Sequence, residues 1–240
     1  MLDMKTLACL LLALAAAAGA QRPVEAFATA AGPVKITPIR HASLMIEGGG
    51  HVIYVDPAQG SFEGLPPADV ILVTHGHGDH LNDMIIAALT KPGTPVLGPE
   101  VVVKARPGTA LIRGGESRQF GPWKVEAIPA YNLKRQRPDG QPLHPKGEGL
   151  GYVLTYGGKR FYAAGDTEGI PEMTALKDID VAFLPMNMPY TMTPEEAAEA
   201  ARAFRPKIVY PYHCRGTDLK AFEKALAGSG VEVRIRDWYY

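Results

Sequence analysis

Residues 74–80, THGHGDH, place three histidines and an aspartate within six positions of a chain that has only seven histidines in 240 residues. The four candidate ligands are His75, His77, Asp79 and His80. Neutral imidazole and carboxylate suit Zn, Mn or Fe. Because four ligands exceed what one tetrahedral ion with an open position needs, the segment indicates two adjacent metal ions.

Three apolar segments of the sequence end in a side chain that can bind a metal. They read VILVTH, FYAAGD and IVYPYH, and they end at His75, Asp166 and His213. In α/β sheets the sites assemble at strand ends, where loops present side chains from a rigid frame. We therefore expect these three ends to converge, although Asp166 could also be a turn residue and His213 a partly buried structural histidine.

Three other residues are candidates for roles at or beside the predicted ligands. His41 follows a strand, and it either contacts the site as a donor or substrate contact, or is structural. Asp56, in the segment VDP, is placed to orient a ligand histidine through its other ring nitrogen. Cys214 follows His213 and could be a soft ligand, but the aspartate of the loop makes a thiolate unnecessary, and its side chain could point away.

The elements that must position these residues are short strands alternating with helices. Strands are predicted at 34–40, 43–47, 52–55 and 70–74, and a helix at 83–89. Thr193, Pro194 and Glu196 have the spacing of a capping box at the start of a second helix, predicted to run to residue 204. Both halves of the chain contain strands and then helices, which indicates two sheets back to back with helices outside.

Residues 129–149 contain four prolines and three glycines and have little periodicity. Long loops inside a compact domain are usually functional or disordered, and we predict an ordered loop over the site.

Composition and charge restrict the class of protein. With 46% hydrophobic and 21% charged residues the chain is of ordinary globular composition, and its length suits one domain. Lys and Arg total 25, and Asp and Glu total 25, so no net positive field attracts nucleic acid. We therefore expect a small-molecule substrate as the partner.

The first residues differ from the rest of the chain. An uncharged Leu- and Ala-rich stretch ends at Ala18-Gly19-Ala20, which is typical of a signal peptide over residues 1–20. It is short for a membrane span, so no stable membrane anchor is expected. The prediction is an exported protein, periplasmic or secreted, with a linker at 21–33 and the domain at 34–240. Cleavage would leave Cys214 as the single cysteine and preclude an internal disulfide.

The motif THGHGDH, with GDT at 165–167 and the late PYH, resembles the metallo-β-lactamase fold superfamily. RHASLMIEGGGHVIYVDP, IPAYN and GDTEGIPEMTALKDIDVAFLPMNMPYTMTPEEAAEAA are similar to its lactonase and phospholipase-D-like branch of metal-dependent hydrolases. The resemblance implies an αββα sandwich, an α/β fold of two mixed sheets back to back with helices on both outer faces. It also implies a binuclear site in the groove between the sheets.

The resemblance assigns the ligands as well. It gives His75 and His77 to the first metal, Asp79, His80 and His213 to the second, and Asp166 as the bridging carboxylate. In many relatives the third histidine of the first metal follows just after a Pro-Ala pair. In this chain the corresponding segment is IPAYN, which has Asn132 near that position. We predict that His144 completes the first site, with Asn132 or water as the alternative.

The function that follows is a metal-dependent hydrolase with two divalent ions, Zn or alternatively Mn or Fe. A hydroxide held by the binuclear site would cleave an ester, lactone, amide or phosphodiester. Asp79 or Asp166 would take the proton, and Tyr190 would reach the leaving group or oxyanion. The alternatives are an iron-dependent redox enzyme of the same fold and a non-catalytic metal or ligand binder of the cell envelope.

Overall fold

The computed structural model describes residues 22–239, which form two seven-stranded sheets. The first sheet contains, in spatial order, β1 (Glu25–Phe27), β2 (Val34–Arg40), β3 (Ser43–Gly48), β4 (His51–Val55), β5 (Val70–Leu72), β6 (Val96–Gly98) and β7 (Ala110–Leu111). The second contains β8 (Ser117–Phe120), β9 (Trp123–Ala130), β10 (Gly149–Tyr156), β11 (Lys159–Ala163), β12 (Val181–Pro185), β13 (Ile208–Tyr212) and β14 (Glu232–Val233).

Both sheets are mixed, and in the same way. In the first, β1 to β4 pair antiparallel and β4 to β7 parallel. In the second, β8 to β11 pair antiparallel and β11 to β14 parallel. Apart from β4 and β5, which are joined by residues 56–69 without a helix, the successive parallel strands are connected through helices, as is usual for such crossovers. The helices are α1 (Asp83–Leu89), α2 (Glu100–Ala105), α3 (Pro171–Thr174), α4 (Pro194–Phe204) and α5 (Leu219–Leu226).

The large core lies between the two sheets and includes buried residues of both. Trp123 of β9 is fully buried, stacks on Tyr156 at a ring-centroid distance of 4.8 Å, and donates its Nε1 hydrogen to the carbonyl of Gly48 at 2.9 Å. A second apolar cluster includes Ile71 of β5 and Ile86 of α1, on the other face of the first sheet. Strand β5 is therefore covered on both faces, which explains its uninterrupted apolar sequence.

The sequence-based elements agree closely with the structure. Helices α1 and α4 have the predicted bounds, and Thr193 and Glu196 form the capping box at the start of α4. The predicted linker at 21–33 is corrected, because it contains β1, which pairs with β2. The predicted signal peptide at 1–20 lies outside the described residues. Within residues 22–239, no helix is long and apolar enough to cross a membrane.

A buried carboxylate just before β12 gives a test of the packing. Asp180 accepts hydrogen bonds from the backbone N of Arg160 (2.9 Å), from Lys159 Nζ (3.2 Å) and from Lys207 Nζ (2.8 Å). Burial raises the pKa of Asp180, but the bonds from Lys207 and Arg160 outweigh it and lower the pKa. The carboxylate thus stabilises the fold at pH values above its unfolded pKa of about 3.9, and the contribution is lost as the pH falls through the lower folded value.

We expect Asp180→Asn to lower the free energy of unfolding at pH 7 by about 1–3 kcal/mol, and the difference from the wild type to shrink below about pH 4. Urea denaturation at both pH values measures this, with Asp178→Asn, an exposed neighbour, as the control. Equal stability of wild type and Asp180→Asn at pH 7 would contradict it.

Candidate metal centre

Six of the seven histidines meet at one edge of the sandwich. They are His41, His75, His77, His80, His144 and His213. His75 lies just beyond β5, Asp166 just beyond β11 and His213 directly after β13, so the three predicted strand ends do converge. The seventh histidine, His51, starts β4 and contacts the carbonyl of Gly49 instead. The structure thus brings together all seven residues predicted as ligands.

The first group consists of His75, His77 and His144, whose ligand atoms lie within 4.8 Å of one another. Nε2 of His75 is 3.0 Å from Nδ1 of His77. Nε2 of His144 is 3.3 Å from Oδ2 of Asp166.

The second group is the set predicted for the second metal, Asp79, His80 and His213. In the structure the compact donor sets are His41 with Asp79 and His213, and His80 with His75 and Asp166. Nε2 of His213 is 3.3 Å from Oδ2 of Asp79, and Nε2 of His80 is 3.7 Å from the same oxygen. Asp166 faces this group through Oδ1, which is 3.5 Å from His80 and 3.4 Å from His213. Since its Oδ2 faces the first group, Asp166 lies between the two groups with one oxygen toward each.

The donor atoms fit divalent cations. Nε2 of His80, Nε2 of His144 and Oδ1 of Asp166 are buried and have no hydrogen-bond partner among the described residues. Leaving such atoms unsatisfied costs about 1–3 kcal/mol each. Nitrogen and oxygen donors gathered in this way match Zn, Mn or Fe, and a bound ion would satisfy them together.

Electrostatics favour the same occupant. Burial lowers the pKa of His75 and of His77, which leaves both imidazoles neutral with a free lone pair near pH 7. Burial would raise the pKa of Asp79, but hydrogen bonds with His213 and His41 hold it far below its usual range. Burial would also raise the pKa of Asp166, yet the nearby His213 and His80 lower it well below the usual value. Two ionised carboxylates among imidazoles attract cations.

Asp56 orients one of the ligands, as the sequence predicts. Its carboxylate is fully buried and accepts hydrogen bonds from the backbone N and from Oγ1 of Thr74, both at 2.7 Å. Nδ1 of His80 lies 2.7 Å from the same carboxylate. This contact turns Nε2 of His80 toward the centre. Burial would lower the pKa of His80, but Asp166 and Asp56 raise it to about 9, so a bound cation would replace a proton there.

His41 contacts the centre through Asp79. Its Nε2 is 3.2 Å from Oδ2 of Asp79, and its Nδ1 is 2.8 Å from the hydroxyl of Tyr239. That hydroxyl accepts from the backbone N of Cys214 at 3.1 Å, so it can donate its own hydrogen to Nδ1. Nε2 then carries the imidazole proton and donates to Asp79. Burial raises the pKa of the Cys214 thiol to about 12, which disfavours a thiolate ligand.

Three non-glycine residues at this centre have left-handed backbones: His41 (φ 59°), Asp56 (φ 47°) and His213 (φ 45°). Such conformations cost of order 1–3 kcal/mol each and are concentrated at functional sites. The backbone N of His213 donates to the carbonyl of His41 at 3.0 Å, which couples two of them.

Asn132 supports His144. Its Oδ1 accepts from the backbone N of His144 at 2.7 Å and lies 2.8 Å from Nδ1 of the ring. Its Nδ2 donates to the carbonyl of Tyr190 at 3.0 Å. Because both ends of the amide are engaged in this way, the geometry favours His144 over Asn132 as the third nitrogen donor of the first group.

The loop at residues 131–148 is held by Glu168, which sequence reasoning missed. Its buried carboxylate accepts from the backbone N of Leu133 (3.0 Å), Lys134 (2.9 Å) and Arg135 (2.8 Å). The sequence feature that could have indicated this role is its position directly after the GDT motif. The Arg135 guanidinium also makes a two-pronged ion pair with Glu196 of the capping box. The loop is therefore ordered, as predicted.

A cavity of about 370 Å³ opens over the centre. It is lined by His77, Asp79, Arg137, Leu143, His144, Asp166, Asn187, Tyr190 and His213. Tyr190 is 46% exposed and lies at its rim, so the structure places this predicted catalytic residue beside the ligands.

We expect Asp56→Asn to weaken metal binding about 10- to 100-fold, because the amide cannot accept from Thr74 and His80 with both atoms. Competition with a chromogenic chelator measures the affinity. Asp69→Asn is the matched control, because Asp69 accepts from the backbone N of Val52 and pairs with Lys91 outside the site. Equal affinities in wild type and Asp56→Asn would refute the orienting role.

We expect Glu168→Gln to loosen the loop and lower the affinity of the first metal site, because one carboxylate oxygen that accepts backbone N–H groups becomes an NH₂ donor. Hydrogen exchange of residues 131–148 and metal content per chain are the readouts. Glu126→Gln, on β9, is the control. Unchanged exchange rates in Glu168→Gln would exclude the anchoring role.

Comparison with known proteins gives the family. The model of the beta-lactamase superfamily domain matches residues 35–213. A UPF0173 metal-dependent hydrolase of Desulforamulus reducens is 33% identical over 210 residues, which cover 80% of this chain and 92% of the relative. One from Thermus thermophilus is 34% identical over 219 residues, 83% of this chain and 94% of the relative.

Among solved structures, a putative metal-dependent hydrolase from Parabacteroides distasonis is 44% identical, with a TM-score of 0.85 over 90% of this chain and 99% of that one. The chain therefore belongs to the beta-lactamase superfamily, which confirms the predicted family and fold. Within that superfamily it is a metal-dependent hydrolase of the UPF0173 group, as predicted at the level of enzyme class.

The prediction of a signal peptide and a periplasmic protein is corrected. Curated relatives come from Gram-positive, Thermus and archaeal species, which do not support a periplasmic family. The apolar composition of residues 1–20 led to that interpretation.

Proposed function

We propose that this hydrolase uses two divalent ions to cleave an ester, lactone, amide or phosphodiester bond of a small molecule. The observation that carries the proposal is the position of Asp166, with Oδ2 3.3 Å from His144 and Oδ1 3.4 Å from His213. A carboxylate shared in this way by two groups of donors suits two neighbouring ions.

His75, His77 and His144 would hold one ion, and Asp79, His80 and His213 the other, with Asp166 shared. Zn is the expected metal, and Mn and Fe are the alternatives. When bound, such ions lower the pKa of water toward neutrality and polarise the oxygen of the bond to be cleaved.

Asp79 is the better placed of the two carboxylates to receive a proton. Its side chain is 34% exposed toward the cavity, whereas that of Asp166 is 4% exposed. The contacts of Asp79 within the described residues use Oδ2, so Oδ1 can accept from water or substrate. His41 and His213 hold the carboxylate in place.

Tyr190 would donate its phenol hydrogen to the oxyanion or the leaving group. Its backbone is fixed by bonds from its N to the carbonyl of Asn187 (2.9 Å) and from Asn132 to its carbonyl (3.0 Å). A donor preorganised at the cavity rim stabilises charge that develops in the transition state.

The names of the relatives favour hydrolysis over an iron-dependent redox reaction and over a non-catalytic envelope binder. The balance of 25 basic and 25 acidic residues supports a small molecule rather than nucleic acid as partner.

Metal content per chain, measured by elemental mass spectrometry after reconstitution, tests the proposal. We expect two ions in the wild type and one in His144→Ala, because that variant removes a nitrogen donor from the first site only. His51→Ala removes the histidine outside the site and should keep both ions. Asp166→Ala should lose turnover while circular dichroism shows an intact fold.

Retention of both ions by His144→Ala would remove that residue from the ligand set. A wild type that binds no metal after reconstitution would refute the binuclear mechanism.

A further inference from the structure

The cavity over the metal centre contains one arginine and no lysine among its described lining residues. Arg137 has one hydrogen bond from its guanidinium, from Nη2 to the carbonyl of Leu143 at 3.4 Å, and no carboxylate lies within ion-pair distance of it among residues 22–239. The nearby Arg135 is different, since its guanidinium is engaged by Glu196 and Glu168. Arg137 therefore presents unused donors to the cavity.

A built turn presents this guanidinium. The backbone N of Arg137 donates to the carbonyl of Gln141 at 2.7 Å, and the N of Gly140 donates to the carbonyl of Arg137 at 2.9 Å. Gln136 and Pro142 form an isolated β-bridge at its base. The loop below this turn is fixed by Glu168, so the backbone of Arg137 is held beside the cavity, and its exposed side chain lines it.

The surroundings suit an anionic group. Asn187 and Tyr190 line the same cavity and offer neutral polar groups. The acidic residues of the cavity are Asp79 and Asp166, both in the proposed ligand set. Two bound divalent ions would outweigh their charge, so an anion near Arg137 would meet a positive field.

An apolar region lies next to this polar one. A second cavity of about 210 Å³ shares His77, Leu143 and His144 with the first and is also lined by Val101, Ala105 and Pro145. Among its described lining residues the single carboxylate is Glu148, which is exposed at the surface. Together, the two regions fit a small molecule with a short apolar part and a charged end.

We propose that Arg137 forms a binding subsite for an anionic group of the substrate. The substrate of this hydrolase then carries a carboxylate or phosphate remote from the bond that is cleaved. The proposal rests on the proposed hydrolase function. A guanidinium binds both groups by paired, charge-assisted hydrogen bonds.

Three 4-nitrophenyl esters with the same leaving group test the subsite: the neutral butyrate, the hemisuccinate and the 3-phosphonopropanoate. In the metal-loaded wild type, we expect one of the charged esters to exceed the butyrate in kcat/KM by about tenfold or more. The preferred charged ester distinguishes carboxylate from phosphate. Arg137→Gln should reduce the charged-to-neutral ratio at least about tenfold through KM, and Arg137→Lys should restore part of it.

Arg118→Gln is the matched control, because Arg118 is exposed like Arg137 but pairs with Glu116 and does not line the cavity. Calorimetric binding of glutarate to the metal-loaded protein is a second readout that needs no turnover, and Arg137→Gln should weaken it about tenfold. Equal ratios and equal glutarate affinities in wild type and Arg137→Gln would overturn the subsite and leave the hydrolase proposal standing. If none of the esters is turned over but glutarate binding still depends on Arg137, the result would support the subsite and count against ester hydrolysis.

Discussion

The shared position of Asp166 is the constraint on which the rest of the structure depends. A carboxylate that is 4% exposed and surrounded by imidazoles is costly in a protein interior unless a cation or a proton balances it. Its two oxygens face different histidine groups, so a cation bound on either side would balance its charge. The arrangement of the surrounding side chains is then understandable as a means of keeping each imidazole lone pair directed at the centre.

That direction is maintained by residues which do not face the cavity. Asp56 fixes His80, Asn132 fixes His144, and His41 fixes Asp79, each by hydrogen bonds between 2.7 and 3.2 Å. These residues come from different strands and loops, so the centre depends on the correct packing of both sheets. The strained backbones of His41, Asp56 and His213 are tolerated because the surrounding hydrogen bonds hold them in place.

Much of this could be predicted from the sequence, because local chemistry determined it. The ligand cluster at 74–80 could be recognised from its residue types, and the start of α4 from its Thr-Pro-Glu sequence. The places of Asn132 and His144 could not be settled, since a loop without periodicity gives no register. Glu168 was missed for a related reason. Its carboxylate accepts from three backbone N–H groups, and any residue type except proline can donate such a bond, so the sequence of the loop does not indicate it. The strand β1 was missed because three residues are too few for a periodic pattern.

The two halves of the chain, each forming one sheet, supply different numbers of the predicted ligands. The first half supplies His75, His77, Asp79 and His80, and the second supplies His144, Asp166 and His213. Ions bound between them would connect the halves across the sandwich, in addition to the apolar core. Because a ligand that binds only the folded state stabilises it by mass action, the melting temperature of this protein should rise with free metal concentration. Occupied in this way, the centre would act as a cross-link between the two sheets.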